Sequence, residues 1–535
     1  MFRNLLNATF VVALMFNSLV ASAQAVDIVP DRDLLQAPFS TQDETNFRQP
    51  PKVFYPETWF HFIGGNVSKE GIDADLQAIS DAGISGIQWF HGYFGGPWPA
   101  TGHQLTTLSP EWEDMVGYLG RKTDSLGLRL TVQTCPGWSM AGGPWITPEN
   151  AMRELVWSRT DIAAGETASA PLKKGVASEE TWRDYRDIMV LAFPTPLGDT
   201  GEPLKPSVTE AGDESWKALV EGVNERGINL KAGSSNTVSF SLPGGSVIRT
   251  LELPPVGAFS HNFCYDPGIH VKLVARNSKG EEKVLVDADL PMSNWQDGNP
   301  YNMVMACNEV EDAESYTFTL AHAHSASVGF VRFYSAARKN SWRGEAGWSL
   351  IAKEIFQQHT DQNPLAFIST KDIIDITDRM DATGRLDWKA PEGNVPEGKW
   401  TVLRIGHVNP GRKNSPAPPE ATGWECSKFD PKGAEIQFAN YVGMLQDGPL
   451  GGKASGMLMD SWECHTQTWT WTMEEDFAGS AGYSLREHIP ALLGYVLDSQ
   501  EETSRFLIDW RRTVNDLYCE NFFRRMTDLA HGKGM

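Results

Sequence analysis

Apolar residues in the first third of the chain switch between the period of a strand and that of a helix. Thr58-Trp59-Phe60-His61-Phe62-Ile63 is a run of strand formers closed by Gly64-Gly65. Ser68 then caps a predicted helix with Ile72, Leu76 and Ile79 on one side and Gly83 at its end. Gly86 to His91 predicts a second strand. Ser109-Pro110-Glu111 is a helix start with proline in first position, and Trp112, Met115, Val116 and Leu119 line its apolar side. Leu128 to Thr134 predicts a third strand, and Thr147-Pro148-Glu149 opens a helix expected to reach about Trp157. Successive strand–helix units imply parallel strands joined by right-handed crossovers.

From 158 to 400 the pattern changes to short alternating runs between Gly, Pro, Asn and Asp, such as Asp187 to Phe193 and Ile269 to Val274. Such spacing predicts one or two inserted β-sandwich modules. Strand–helix style returns with Trp400 to His407 and Gly456 to Asp460 as strands and a helix over roughly 431–446. Leu507, Trp510, Val514, Leu517, Met526 and Leu529 trace a long amphipathic helix, interrupted at Asn521. The expected fold class is α/β, a (β/α)8-type barrel split by β-sandwich insertions. Its first part should occupy 24–157, the insertion 158–400 and the continuation 401–535. The candidates make five parallel strands, where a closed barrel needs eight. Gly532-Lys533-Gly534-Met535 falls where a sixth would begin, so the chain is expected to stop before closure.

Charge narrows the function. With 46 Lys and Arg against 68 Asp and Glu, the net charge of −22 repels phosphate backbones and anionic lipid, which argues against nucleic-acid partners. No apolar run approaches the roughly 20 residues of a membrane span. Arg3, the apolar stretch over 10–16 and the small-x-small Ala21-Ser22-Ala23 form a targeting segment over 1–23, implying an exported, periplasmic or extracellular protein. Export permits disulfides among the six cysteines, but no CxxC pair is present and no connectivity follows from spacing.

In a barrel, reactive side chains project from the carboxyl ends of the strands. Those positions hold His61, His91 and the Cys135-Pro136-Gly137-Trp138 turn, with Trp145 following. Two indoles beside close-approaching backbone suit the C–H faces of a sugar, although a loop packed by its own tryptophans has the same composition. Met459-Asp460-Ser461-Trp462-Glu463 runs a strand into two carboxylates. Partial desolvation beside aromatic rings would raise the pKa of Glu463, as a general acid requires. Asp460 could position a hydroxyl or a cation. Glu425, before a helix and three residues from Lys428, is a second acid/base candidate or a structural ion pair. His322 and His324 share a strand face without a visible third ligand, which favours a solvated face over zinc. No nucleophile elbow, Walker loop, dinucleotide fingerprint or HExxH motif occurs.

Several of these segments, in order, resemble glycoside hydrolase family 106, the α-L-rhamnosidases. They are Thr58 to Phe62 with Asn66 to Ile72, Cys135 to Trp145, Gly423 to Lys428, Asp460 to Glu463, Gly482-Tyr483, Leu493-Gly494 and Arg505 to Trp510. The resemblance implies a barrel with β-sandwich accessories and inverting removal of terminal L-rhamnose from pectin-type glycans. It also implies a nearby calcium ion, whose ligands it does not identify, and Glu463 as the acid. Inversion needs a second carboxylate about 6.5–9.5 Å away, expected on a later strand beyond residue 535. Trp424 and Ser427 stand where the resemblance leads one to expect an aliphatic residue and an acid. The chain alone is therefore expected to release little or no rhamnose. A carbohydrate-binding protein without hydrolysis is the alternative, and a retaining glycosidase with Glu425 as nucleophile is a third reading.

Overall fold

The computed structural model describes residues 38–535 apart from 95–103, 177–182, 213, 224–226, 255–268, 291–300, 323–325, 349–359 and 394. The expected targeting segment, Cys264 and His324 lie outside the described residues. Glu57–Ile63 (β1), Gly86–Gly92 (β2), Arg129–Gln133 (β3) and Gly456–Leu458 (β4) pair side by side in that order, all parallel. Lys69–Asp81 (α1) joins β1 to β2, and Pro110–Ser125 (α2) joins β2 to β3. Both helices start at the predicted caps: the Ser68 hydroxyl accepts from the Gly71 amide and Ser109 from Trp112.

Side-chain alternation gives the parallel sheet two distinct faces. Phe62, Ile87, Trp89, Leu130 and Val132 pack with Ile72, Leu76, Trp112 and Val116 of the helices into one core. Each fully buried leucine or valine there contributes about 1.5–3 kcal/mol. By the same alternation Trp59, His61, Gln88, Phe90, Gln133 and, beyond β4, Asp460 fall on the opposite face.

Two sequence expectations are corrected. Trp400 to His407 does form a strand, Lys399–Val408, but it is antiparallel, lying between Glu154–Ala163 and Arg186–Pro194 in a sheet completed by Ile374–Asp375. It is buried over almost its whole length, and such a continuous apolar run reads alike in a parallel strand and a central antiparallel one. The parallel sheet therefore has four strands among the described residues, and no barrel closes among them. Nor does a helix run from Thr147 to Trp157. Asn150 closes a turn on Thr147, and the strand Glu154–Ala163 follows, because Val156, Trp157, Thr160 and Ile162 are strand formers that outweigh the local helix-start signal. This antiparallel sheet draws strands from across the expected boundaries at 157 and 400.

Between these strands, a five-stranded antiparallel sheet centred on Ile269–Asn277 and Ala313–His322 shares one apolar core with a three-stranded sheet centred on Thr250–Leu253. His322 is buried, its Nε2 3.1 Å from the Ser234 hydroxyl. Pro431–Phe438 (α3) continues through a π turn at Ala439–Gly443, and Gln500–Leu517 (α4) through one at Tyr518–Arg524. Asn521, the polar break in the predicted stripe, sits in that π turn and donates to the Phe429 carbonyl at 2.7 Å. Among the described residues no helix is long and apolar enough to cross a membrane. Cys135, Cys307, Cys426 and Cys464 are buried free thiols and Cys519 an exposed one.

Candidate active site

Chain leaving β4 is held on both sides of Glu463. Ser461 and His465 both adopt positive φ, at 61° and 65°, a left-handed conformation that costs non-glycine residues about 1–3 kcal/mol unless surroundings enforce it. Here they do. Ser139 forms a bridge with Trp462, whose indole N–H donates to the His465 carbonyl at 2.9 Å and whose ring meets Tyr518 at 5.1 Å. Cys464 is buried. Glu463 alone projects, with no ion-pair partner among the described residues. Its side chain reaches solvent, yet burial, followed by the nearby charge of Asp460, pushes its carboxyl above the usual range. His465 is held neutral: burial, then Arg412, lowers its pKa to about 4.

On the sheet face shared with Asp460, His61 stacks between Phe90 and Trp138, at 5.2 and 6.0 Å between ring centroids. Burial lowers the His61 pKa, so the ring is neutral and able to donate or accept one hydrogen bond. Trp138 is seated by the hydrogen bond its backbone N–H donates to the Ser415 carbonyl and by the absence of a side chain at Gly92, where a methyl group would overlap the indole. Gly92→Ala is expected to displace Trp138 and to lower stability by about 1–3 kcal/mol through overpacking. Near-UV circular dichroism and thermal unfolding would register both effects.

His91 and Trp145 are not brought to that face. His91 is fully buried on the helix side between Trp89 and Trp112, with its pKa lowered by burial to about 3, so it is a core residue and is corrected as a sugar contact. Strand alternation is the reason: two residues from Trp89, it shares the face of Trp89. Trp145 stacks on Tyr441 and donates to Gln437 at 2.8 Å, tying the loop after β3 to the helix that starts with α3.

Glu425 is wholly buried and ion-paired with the equally buried Lys428 at 2.7 Å, the structural reading of that motif. With its carboxylate locked and out of solvent, it is corrected as a proton-transfer group and as a nucleophile. Burial alone would discharge Lys428, but the Glu425 carboxylate paired with it outweighs burial and holds its pKa above the usual range. Lys428 also donates to the Cys426 carbonyl at 3.1 Å and lies 5.7 Å from the Trp462 ring, so the pair forms the floor under the Glu463 loop. Gln467 completes that floor by accepting from the Lys428 amide and donating to Ser427. Ser427 thus serves as a hydrogen-bonding partner where an acid was expected. A further support went unread in the sequence. Asn414 donates to the Pro136 and Ala421 carbonyls, and the Ser415 amide donates to Ser139, pinning the turn that carries Trp138. Its only sequence signal is the proline-rich stretch Pro416 to Pro419.

A clamped acidic loop beside an aromatic-walled sheet face is the setting in which the comparisons fall. A family model for glycoside hydrolase family 106, described as alpha-L-rhamnosidase, matches residues 48–535. The chain belongs to this family. It is similar to the solved rhamnosidase from Novosphingobium sp. PP1Y, with a TM-score of 0.70 and 26% identity over 92% of this chain and 46% of that one. It is also 26% identical over 505 residues to a Formosa agariphila protein named "Putative beta-glucuronidase", covering 93% of this chain and 30% of that protein. The chain thus spans less than half of the solved relative and less than a third of the curated one.

Proposed function

We propose that this family 106 chain acts on terminal α-L-rhamnose of pectin-type glycans outside the cytoplasm by an inverting mechanism, with Glu463 as general acid. The observation that carries this reading is the loop clamped on both sides of Glu463, which leaves one carboxyl projecting with a raised pKa. In the proposed step Glu463 gives its proton to the glycosidic oxygen as the bond to the anomeric carbon breaks, while water bonds to that carbon from the opposite side and yields a proton to the second carboxylate of the inverting pair. Trp138 and His61 offer a flat wall for the sugar ring, and Asp460 accepts from a ring hydroxyl. Glu425, buried and paired with Lys428, is not proposed as the second carboxylate of the inverting pair. Among the described residues no three His, Cys, Asp or Glu side chains converge into a cation cage.

Titration calorimetry with L-rhamnose, combined with NMR of the first sugar released from an aryl α-L-rhamnoside, tests this reading. Rhamnose should bind, and released sugar should emerge first as the β-anomer. Binding with no release at any enzyme concentration would establish the carbohydrate-binding alternative instead. Selective cleavage of an aryl β-glucuronide would overturn the assignment of the sugar.

A further inference from the structure

A second concave site lies away from Glu463, where the strands Glu154–Ala163, Thr250–Leu253 and Arg332–Tyr334 meet the short helix Trp342–Glu345. It encloses about 280 Å³, near the lower end for small-molecule pockets, which suits one or two sugar rings. Trp157 lines its wall, with the buried Trp342 ring edge-on to it at 6.4 Å and covered by Arg343.

The charges that line this hollow are unequally satisfied. Asp199 is neutralised by Arg159 at 2.6 Å and Arg338 at 3.1 Å. Glu252 accepts from the Tyr334 hydroxyl and from the Asn302 amide, both at 2.9 Å. Arg343 is different. Among the described residues its guanidinium makes one hydrogen bond, to the Asn302 carbonyl at 3.3 Å, and has no ion-pair partner within contact distance. It lies 4.5 Å over the Trp342 ring, which fixes the plane of its fork. A guanidinium carries five N–H donors and no acceptor, so most of its capacity is unspent. Burial pulls its pKa below the ordinary arginine value, with the nearby Glu252 charge opposing the shift.

We infer that this cavity is a second carbohydrate-binding site, distinct from the Glu463 site, that takes a uronic acid residue with its carboxylate on Arg343 and its ring against Trp157. Arginine and carboxylate match as a planar two-bond fork. Glu252, which accepts from Tyr334 and Asn302 and lies 3.7 Å from the Arg332 guanidinium, keeps acceptor positions for a sugar hydroxyl. A neutral sugar would leave the Arg343 charge unanswered, and a bare small anion would leave the Trp157 indole unused.

Calorimetric titrations of the full chain with D-galacturonate, D-glucuronate, L-rhamnose and acetate separate these cases. At least one uronate should bind, and Arg343→Met should weaken it by about tenfold or more, while L-rhamnose affinity is unchanged. Arg343→Lys should fall between wild type and Arg343→Met, because it keeps charge and loses the fork. Saturation-transfer NMR on the wild-type chain gives a readout independent of any variant's folding, with transfer to uronate ring protons expected. Absence of uronate binding, binding indifferent to Arg343→Met, or acetate binding as tightly as uronate would each overturn the inference.

Discussion

Replacing Lys428 with methionine is expected to destabilise the folded chain by about 3–5 kcal/mol, the cost of leaving one member of a fully buried ion pair without its partner. Both side chains have zero accessibility, and Glu425 Oε1 already lacks any hydrogen-bond partner, so Lys428 is the main counterweight to a desolvated carboxylate. Urea denaturation would report the loss as a lower midpoint at constant slope. Changing both residues, Glu425→Gln with Lys428→Met, should recover a large part of it, because the penalty lies in the orphaned charge rather than in the pair's net attraction. The variant also removes the floor beneath Trp462 and Cys464, so the Glu463 loop should lose order together with stability. A loss below about 1 kcal/mol would show that water or a neighbouring group replaces Lys428, and that the loop is held by other contacts.

Glu463→Gln is the second large effect. The amide is nearly isosteric but has no proton to give, and general acid catalysis is typically worth about 10²–10⁴-fold. The wild-type rate on an unactivated rhamnoside, however slow, should fall by that factor, with rhamnose affinity changed little. Acidity should also shape the pH profile. A general acid must be protonated, so kcat/KM should decline as pH rises through the Glu463 pKa, which lies above the ordinary carboxylate range. That alkaline limb should vanish in Glu463→Gln.

The first strand–helix units were legible because local signals agreed with the fold. Ser68 and Ser109 cap their helices, and Ile72, Leu76, Trp112 and Val116 keep helical spacing against the sheet. Trp400 to His407 was legible as a strand but not in direction, since burial on both faces removes the alternation that distinguishes sheets. The Thr147 start signal was real at the level of a turn and was overruled by the strand formers after it. At the site, a carboxylate following a strand is the signal that makes Glu463 the proposed acid. Periodicity could also have excluded His91, since it stands two residues from Trp89 and four from Ile87, both in the helix-side core. The Glu425–Lys428 pair was legible from its spacing of three, but Gln467 on the Lys428 amide and Pro136 on Asn414 come from segments 39 and 278 residues away, which no spacing within one segment could reveal.

Leaving-group dependence tests the role of Glu463 most directly. The ratio of kcat/KM for wild type over Glu463→Gln would be measured on phenyl and on 2,4-dinitrophenyl α-L-rhamnoside. Proton donation predicts a ratio of about 10²–10⁴ for the phenyl substrate and one near unity for dinitrophenyl, whose phenolate departs without a proton. Equal ratios on both substrates would contradict it.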